Sequence, residues 1–354
     1  MSFPLATPPP MVSVIVCVYN DADRIAPCIQ SLLDQDYPPE SLEVVVVDDG
    51  STDQTAAVVR QFPAVRLCQQ ENRGPSTARN LGILQARGEI CAFTDSDCEA
   101  DPGWVRSLVQ HHMAKAGERF GGVGGSQFGH PGDPPFARKV DRYLRAVGLV
   151  GDYVKPHAAA CPVLHNASCN ASYPRRLLLE VGGFRPGLFP GEDVELDKRL
   201  ENLGYRLWFE PQARVFHHRV NTPARWINML RSYGRSQAEV VRLHGFFRLI
   251  HFVPPVGVLS LFMVLGVSWQ YHLWIHAALL ALAGTGLVIG WLKHRSGLGL
   301  LDTTVFFSTT LRYYFPPFFK ALLGISSSPI RFDQPRLQPL IDPPGRNEPP
   351  SGTI

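Results

Sequence analysis

The chain has 354 residues, of which 45% are hydrophobic and 18% are charged, and its formal net charge is +3. This length allows one large domain or two modest ones. A net charge so close to zero gives no indication that nucleic acid is the main partner. The seven cysteines form no C-x-x-C pair, which favours reduced thiols in a cytosolic compartment over a disulfide framework.

The first half of the chain alternates predicted strands and helices. Residues 12–19, "VSVIVCVY", are almost all apolar, as expected of a parallel strand that is buried on both faces. No basic residues precede this run, so we interpret it as a strand rather than a signal peptide, and residues 1–11 as an N-terminal leader. Further strands are predicted at 43–49 and 65–69, and "STDQ" at 51–54 predicts a helix start through a capping box. This β-α-β-α order predicts an α/β fold with a doubly wound, mostly parallel, Rossmann-like sheet.

The pattern becomes less regular in the middle of the chain. We expect a helix at 134–147 and a second one in "GEDVELDKRLENLGY", where Gly204 stops it. Short strands at 205–209 and 213–217 would complete a domain that extends from residue 12 to residue 222.

Two apolar segments follow this domain. Residues 252–268 and 273–292 contain no Asp, Glu, Lys or Arg, and each is near the length needed to cross a bilayer. They predict a C-terminal transmembrane helical hairpin, with a helix hairpin buried in a protein core as the alternative. Basic residues precede the first segment, and Lys293 and Arg295 follow the second, which places both outer ends in the cytosol. We therefore expect a multi-pass protein of the cell (inner) membrane with a cytoplasmic N-terminal domain.

The remaining C-terminal segments complete this layout. Residues 223–251 are expected to form a basic amphipathic juxtamembrane segment that leads into a membrane region at 252–325. Within that region, residues 301–325 are interrupted by charged residues and prolines, so they predict either a third span or an interfacial helix. The tail at 326–354 is rich in Pro and Ser and is expected to be disordered.

Polar side chains follow three of the predicted strands, at the strand ends where ligands bind in such sheets. The clusters are Tyr19-Asn20-Asp21, Asp48-Asp49-Gly50-Ser51 and Asp95-Ser96-Asp97. A single acidic pair would be explained by the chemistry of a solvated turn. Acidic clusters after three strands of one sheet are expected to converge on a single crevice.

The pair Asp95 and Asp97 has the spacing of a metal site. In extended backbone, side chains at i and i+2 lie on the same face, so both carboxylates can bind one ligand. A divalent cation would relieve their repulsion, and oxygen ligands suit Mg²⁺ or Mn²⁺. Because these ions also bind phosphates, a nucleoside diphosphate is the natural third component.

At this point the chain resembles a known family over residues 12 to about 220. The motifs that carry the resemblance are, in order, "SVIVCVYN", "VVVVDDGSTDQT", "ENRGPSTARNLGI", "FTDSDC", "GGF" and "GEDVELDKRL". Their order is similar to that in family 2 glycosyltransferases with the GT-A fold. The resemblance implies that residues 12–222 are a GT-A catalytic domain that uses Mg²⁺ or Mn²⁺ and a nucleoside-diphosphate sugar.

The resemblance also implies which residues bind the nucleotide-sugar. Asp49, and with it Asp48, would contact the base or ribose, Arg79 would approach the phosphates, and Asp95 would contact the ribose or sugar. The remaining nucleotide-binding residues would be those that follow the first strand, Tyr19, Asn20 and Asp21.

The roles implied for catalysis and metal binding fall on other motifs. Asp97, assisted by Asp95, would ligate the metal, and His217 or His218 in "FHHR" would complete the metal site. Asp193 would be the general base that takes the proton of the acceptor hydroxyl, and Glu192 would orient the acceptor or sugar. For Asp193 alone, an ordinary carboxylate at a helix start is an equally good interpretation.

The resemblance also bears on the number of sugars transferred. Processive members often carry a Q-x-x-R-W motif, whereas this chain has Thr222 in place of the Gln, followed by Arg225 and Trp226. This departure favours transfer of one or a few sugars over synthesis of a long polymer, so we expect a non-processive transferase. The resemblance also implies that transfer is inverting. The acceptor would be a lipid-linked glycan or another membrane-associated molecule at the lipid bilayer, in cell-surface polysaccharide or glycolipid synthesis.

Two alternatives from other classes remain open at this point. A sugar nucleotidyltransferase has a similar sheet, but it usually carries an N-terminal Gly-rich loop, and "CVYNDADR" contains no glycine. A non-catalytic membrane protein that binds a nucleotide or glycan would not need its acidic residues, yet Asp95, Asp97 and Asp193 are all present.

Overall fold

The structure is a computed structural model that describes residues 8–115, 119–147, 159–271 and 274–325. Within these ranges the strands are β1 (Val12–Val18), β2 (Leu42–Asp48), β3 (Val65–Gln69), β4 (Ile90–Asp95), β5 (Cys98–Ala100), β6 (Phe120–Gly129), β7 (Cys161–Val163), β8 (Ala171–Pro174) and β9 (Arg206–His217). The α-helices of the first part are α1 (Ile25–Leu33), α2 (Thr55–Val59), α3 (Pro75–Gln85), α4 (Trp104–Ala114), α5 (Pro135–Val147), α6 (Arg175–Val181) and α7 (Glu192–Asn202). Four more follow, α8 (Pro223–His244), α9 (Leu249–Tyr271), α10 (Trp274–Ser296) and α11 (Leu300–Leu322).

The described strands form one mixed sheet in the order β3-β2-β1-β4-β8-β6-β9-β5, with β7 paired to β9. The predicted parallel arrangement is confirmed for β1 to β4, which run parallel to one another. Beyond β4 the sheet is mixed, because β8 runs antiparallel to both β4 and β6, while β6 and β9 are parallel. This topology is a GT-A-like α/β fold, and it brings the carboxyl ends of β1 and β4 side by side.

Both faces of the central strands are buried, as their continuous apolar sequence predicts. Val14 and Val16 of β1 pack with Ile25 and Ile29 of α1 on one face. Ile15 packs on the opposite face, where α3 approaches so closely that a Cβ on Gly82 would collide with it. The rigid parallel core therefore holds the loops at its carboxyl edge in fixed positions.

The helix start predicted at residues 51–54 is wrong. The helix α2 begins at Thr55 with Gln54 as its N-cap residue. The hydroxyl of Ser51 instead accepts a hydrogen bond from the backbone N–H of Asn20 at 2.9 Å. Ser51 thus joins the loops after β1 and β2, a long-range contact that the local capping pattern does not contain.

The C-terminal helices pack on the α/β domain through α8 and α11. Trp226 of α8 lies edge-on to Tyr143 of α5 and to Phe306 of α11. Its indole N–H donates to the Thr309 hydroxyl at 3.0 Å. Gly234 of α8 contacts the backbone of α11 directly, since any Cβ at this position would overlap the Tyr314 carbonyl. These contacts position α8 as one wall of the cavity described below.

The predicted membrane-spanning region is not supported by these helices. Among the residues that the structure describes, no helix combines the length and the apolar character needed to cross a membrane. The predictions of a transmembrane hairpin at 252–268 and 273–292, and of a multi-pass protein of the cell membrane, are therefore wrong. They were based on the absence of charged side chains, which is a weaker criterion than sustained apolarity, and α9 contains Pro254 and Pro255 in its interior. The tail at 326–354 lies outside the described residues.

A buried cluster of charges joins α7 to α8. Glu195 is fully buried and pairs with Arg185 at 3.0 Å, Arg199 at 2.9 Å and His244 at 3.3 Å. Burial alone would raise the pKa of Glu195, but the hydrogen bond from His244 and the two arginines outweigh it and lower this pKa to about 2. The carboxylate is therefore ionised throughout the neutral range and stabilises the folded state there.

Replacing Glu195 by Gln is expected to lower the free energy of unfolding by about 3 kcal/mol at pH 7. A carboxylate with a lowered pKa contributes its full stabilisation above its unfolded value and loses it as the pH falls. The difference between wild type and Glu195→Gln should thus shrink between about pH 4.5 and pH 2. Urea unfolding at several pH values measures it, with the exposed Glu180→Gln as a control that changes stability by less than about 0.5 kcal/mol. Equal losses in the two variants would contradict the prediction.

Candidate active site

The cavity of interest has a volume of about 600 Å³ and opens at the carboxyl ends of β1 and β4. The start of α7 and one face of α8 form its other walls. The predicted site residues that line it are Tyr19, Asp21, Arg79, Asp95, Asp97, Glu192, Asp193, His217 and His218. The structure therefore brings together side chains from three distant parts of the sequence.

Arg79 lies at the centre of the acidic set. Its side chain is 3% exposed, and it donates to Asp95 Oδ1 at 2.8 Å and to Glu192 Oε1 at 2.6 Å. Burial opposes the charge of Arg79, but Asp95 and Glu192 outweigh it and raise its pKa. The guanidinium thus stays charged and holds the two carboxylates on one side of the cavity, which leaves it less free to contact phosphates than the sequence suggested.

Asp97 lies opposite, between a histidine and an arginine. Its Oδ1 is 3.3 Å from His217 Nε2, and its Oδ2 is 3.4 Å from Arg24 Nη1. Burial raises the pKa of Asp97, yet His217 and Arg24 outweigh it and lower the pKa to about 2. An ionised carboxylate beside an imidazole is a donor set suited to a divalent cation.

Sequence reasoning missed Arg24 as a site residue. Its Nε donates to Asp21 Oδ1 at 2.7 Å, and Asp21 also accepts from the Ser96 hydroxyl at 2.6 Å. Asp21 is thus fixed within the site by its own chain. The i, i+3 spacing of Asp21 and Arg24 was the available signal.

The two candidate histidines differ in their surroundings. His217 faces Asp97, as described, whereas His218 Nδ1 lies 2.8 Å from Asp133 Oδ1. At the Asp95-Ser96-Asp97 turn, Asp97 and His217 lie close enough to hold one metal ion, with Asp95 two residues away. This oxygen and nitrogen set fits Mg²⁺ or Mn²⁺ in chemical type. His218 lies instead with Glu99 and His130 in a second group, whose ligand atoms are within 4.8 Å of one another.

Glu192 and Asp193 occupy the first turn of α7. Gly191 precedes them with a φ of 103°, a conformation that favours glycine. Asp193 Oδ2 accepts from the Ser168 N–H at 3.2 Å and its Oδ1 from the Val194 N–H at 2.8 Å. Its side chain remains 16% exposed toward the cavity, so an acceptor hydroxyl can reach it.

Only one carboxyl oxygen of Glu192 forms hydrogen bonds among the described residues. Glu192 is 2% exposed, and within the described part of the chain its Oε2 has no hydrogen-bond partner. Burial raises the pKa of Glu192, Arg79 opposes this, and the neighbouring Asp193 adds to it, so the pKa lies above its usual range. A buried oxygen without a partner at the cavity wall is suited to bind a ligand hydroxyl.

His165 is a second residue that the sequence did not single out. It is 4% exposed, with Nδ1 at 2.9 Å from Asp197 Oδ2 and Nε2 at 3.8 Å from Asp193 Oδ2. Asp197 is fully buried and also accepts from the Tyr173 hydroxyl at 2.9 Å. No local pattern indicates this arrangement, because it joins α7 to the segment before β8.

Comparison with known proteins finds a family similarity in the first half of the chain. Residues 13–182 match the family model described as "Glycosyl transferase family 2". Over these residues the chain is similar to family 2 glycosyltransferases. The cavity is built from this region together with α7 to α8, which follow it in the sequence.

Curated glycosyltransferases are also similar to this chain in sequence. Glycosyltransferase AglE of Haloferax volcanii is 33% identical over 205 residues, which are 56% of this chain and 64% of the relative. The pre-mycofactocin glycosyltransferase of Mycobacterium tuberculosis is 31% identical over 242 residues, 66% of this chain and 48% of the relative. The chain thus spans between about half and two thirds of these two proteins.

A solved structure supports the fold. The mannosyltransferase PcManGT from Pyrobaculum calidifontis, in complex with GDP-Man and Mn²⁺, aligns with a TM-score of 0.61 and 23% identity. The alignment covers 90% of this chain and 89% of that one. At this identity the similarity shows a shared GT-A-type fold.

Three of the predicted nucleotide-binding residues do not line the cavity. Asn20, Asp48 and Asp49 are not among the described residues that line the cavity. Asp49 is 4% exposed, and its carboxylate accepts from the N–H groups of Arg73 and Gly74, both at 2.9 Å. The structure gives Asp49 a role in holding the loop before α3, and its contact with a base or ribose stays a prediction.

Proposed function

We propose that this protein is an inverting glycosyltransferase that moves a sugar from a nucleoside-diphosphate sugar to a hydroxyl of a lipid-linked or glycan acceptor. The observation that carries the proposal is the shared cavity of Asp95, Asp97, Glu192 and Asp193. Asp95 and Asp97 lie at the end of β4, and Glu192 and Asp193 lie at the start of α7, so carboxylates from two distant parts of the chain gather in one cavity. Such a site is suited to a ligand that brings both a metal and hydroxyl groups.

In this proposal, Asp97 and His217 hold a divalent cation, since Asp97 Oδ1 and His217 Nε2 lie 3.3 Å apart in the lining of the cavity, and Asp95 assists from the same turn. A bound Mg²⁺ or Mn²⁺ supplies Lewis-acid stabilisation of the departing diphosphate. Arg79 holds Asp95 and Glu192 in fixed orientations, so both can bind sugar hydroxyls without reorganising.

Asp193 takes the proton of the acceptor hydroxyl as that oxygen attacks the anomeric carbon. Asp193 lies in the first turn of α7, where its carboxylate accepts a hydrogen bond from the Ser168 N–H and faces the positive end of the helix dipole. Direct attack in a single displacement would invert the anomeric centre.

A lipid-linked acceptor is supported by a relative and by charge. The Methanococcus voltae protein named as a dolichyl N-acetyl-α-D-glucosaminyl phosphate glycosyltransferase is 22% identical over 272 residues, 80% of its length. Arg225 at the start of α8 and Arg248 after its end both line the cavity. These cations suit an acceptor that carries phosphate.

Transfer of one or a few sugars is favoured at the position of the processive motif. Thr222 caps α8 by accepting from the Arg225 N–H at 3.3 Å, and Trp226 is buried against α11. Both side chains thus serve the packing of α8, and neither is among the described residues that line the cavity.

The test is a donor and acceptor screen with the full chain. Purified protein is incubated with a panel of nucleotide sugars, Mn²⁺ or Mg²⁺, and lipid phosphates, and the released products are identified. Metal-dependent release of nucleoside diphosphate with a glycosylated acceptor supports the proposal. Release of pyrophosphate, or donor binding in thermal shift without turnover on any acceptor, would overturn it in favour of a nucleotidyltransferase or a binding protein.

A further inference from the structure

Two buried thiols lie beside the catalytic cation site. Cys98 begins β5, Cys169 lies in the turn before β8, and His217 ends β9. One ligand atom from each of the three lies within 4.8 Å of the other two. Asp97 Oδ1 lies next to two of them, at 3.9 Å from Cys98 Sγ and 3.3 Å from His217 Nε2. Two sulfurs and one nitrogen therefore lie close together, with a carboxylate beside them.

The polar surroundings of the thiols suit metal binding. Gln127, which is 3% exposed, donates from Nε2 to Cys169 Sγ at 2.9 Å. The same Nε2 also lies against His217 Nδ1, so Gln127 contacts two of the grouped residues, as the outer partners of metal ligands commonly do. Cys169 and His217 both line the cavity, so an ion has a path to them. Both thiols are free of disulfide bonds.

We propose that Cys98, Cys169 and His217, with Asp97 as the fourth ligand, form a binding site for a soft divalent cation of the Zn²⁺ class. Sulfur, imidazole and carboxylate ligands are those of four-coordinate zinc. Thiolates select Zn²⁺ over Mg²⁺ and Mn²⁺, and Zn²⁺ also stands above Mn²⁺ in the general affinity order of divalent ions.

Binding exchanges protons for the cation. The two thiol protons are released to solvent as the Sγ–metal bonds form. At His217 the ion takes the Nε2 lone pair, and the ring then carries its proton on Nδ1. The two donors that now face Nδ1, Gln127 Nε2 and Arg219 Nη1, must then turn away from it. Gln127 can keep its hydrogen bond to Cys169, and Arg219 can keep its bond to Asp141.

The soft site shares Asp97 and His217 with the proposed Mg²⁺ or Mn²⁺ site, so the two occupancies exclude each other. Zn²⁺ would therefore inhibit transfer by removing ligands from the activating ion. The binding stands on the four residues alone, whereas the inhibition rests on the proposed function.

The binding is tested with Co²⁺, which reports sulfur ligation through a charge-transfer absorption in the near ultraviolet. We expect the purified reduced protein to develop this band with about one Co²⁺ per chain. Zn²⁺ should abolish it at equimolar amounts, and excess Mg²⁺ should not. If the full chain develops no band with Co²⁺, or if Zn²⁺ does not remove the band, the proposal is overturned.

Variants assign the band to the thiols. Cys169→Ser should lose most of it, and Cys98→Ser should do the same, whereas the matched control Cys68→Ser on β3 should keep it. Because Cys98 lies in the core, its variant is compared by circular dichroism, and Cys169→Ser carries the assignment if Cys98→Ser does not fold. A full band in folded Cys169→Ser would overturn the proposal.

Competition separates this proposal from the proposed function. Zn²⁺ should lower the Mn²⁺-dependent rate at least about tenfold, reversibly by chelation, and Cys169→Ser should need about tenfold more Zn²⁺ relative to its own Mn²⁺ rate. A cobalt band without any inhibition by Zn²⁺ would overturn the claim that the two sites share Asp97 and His217. A cobalt band in a protein that has no transferase activity would overturn the proposed function and leave the site supported.

Discussion

Asp193→Asn is expected to lower kcat by about 10³-fold while the affinities for donor and metal change by less than about twofold. The amide keeps an oxygen that accepts the Ser168 N–H, so the geometry at the start of α7 is retained. It cannot accept the proton of the acceptor hydroxyl, and the attack on the anomeric carbon then loses its base. The loss should therefore appear in turnover and leave the Michaelis constant for the donor nearly unchanged.

Steady-state kinetics and donor titration of the same preparation measure these quantities. Glu201→Gln is the matched control, because Glu201 lies on the same helix, is 40% exposed and pairs with Lys198. That variant should retain activity within about twofold. Turnover of Asp193→Asn equal to that of wild type would show that another group serves as base, with Glu192 and His165 the neighbours to examine next.

The sequence predicted those parts of the site that follow from strand ends. Cys17 pairs in register with Asp95 across β1 and β4, so the acidic turn after β4 lies beside the loop after β1, as parallel pairing requires. A strand end, however, does not determine where a carboxylate points. Asp49 also follows a strand of the same parallel core, yet the N–H groups of Arg73 and Gly74 draw its side chain into a neighbouring loop.

The missed residues share a different cause. Arg24 contacts Asp97, which lies 73 residues further along the chain. His165 contacts Asp197, which lies 32 residues further along. Such contacts depend on how α1 and α7 pack, which periodicity does not specify. The C-terminal segments were misinterpreted for a different reason, because the absence of charged side chains is a weaker criterion for a membrane span than sustained apolarity.

The buried arginine shows how sequence and structure complement each other. The family resemblance places Arg79 near the nucleotide, and the structure places its guanidinium between Asp95 and Glu192. The proposed metal ion would bind at Asp97, whereas Arg79 pairs with Asp95 and Glu192. The two cations would thus divide the carboxylates into two groups. The metal site then depends mainly on Asp97 and His217.

Asp97→Asn is accordingly expected to weaken Mn²⁺ binding about 10²-fold and to lower kcat/KM by at least about 10²-fold at fixed metal concentration. The carboxylate of Asp97 has a pKa of about 2, so wild type keeps it ionised at every pH used for assay, and only the variant lacks the charge. Raising the Mn²⁺ concentration should recover part of the lost rate, since the amide oxygen remains a weak ligand beside His217. Electron paramagnetic resonance of free Mn²⁺ measures the binding, and initial rates against Mn²⁺ concentration measure the recovery. Asp34→Asn, an exposed change of the same charge at the end of α1, should alter neither quantity. Unchanged Mn²⁺ affinity in Asp97→Asn would mean that the ion binds elsewhere and that Asp97 serves only to hold Arg24 and His217.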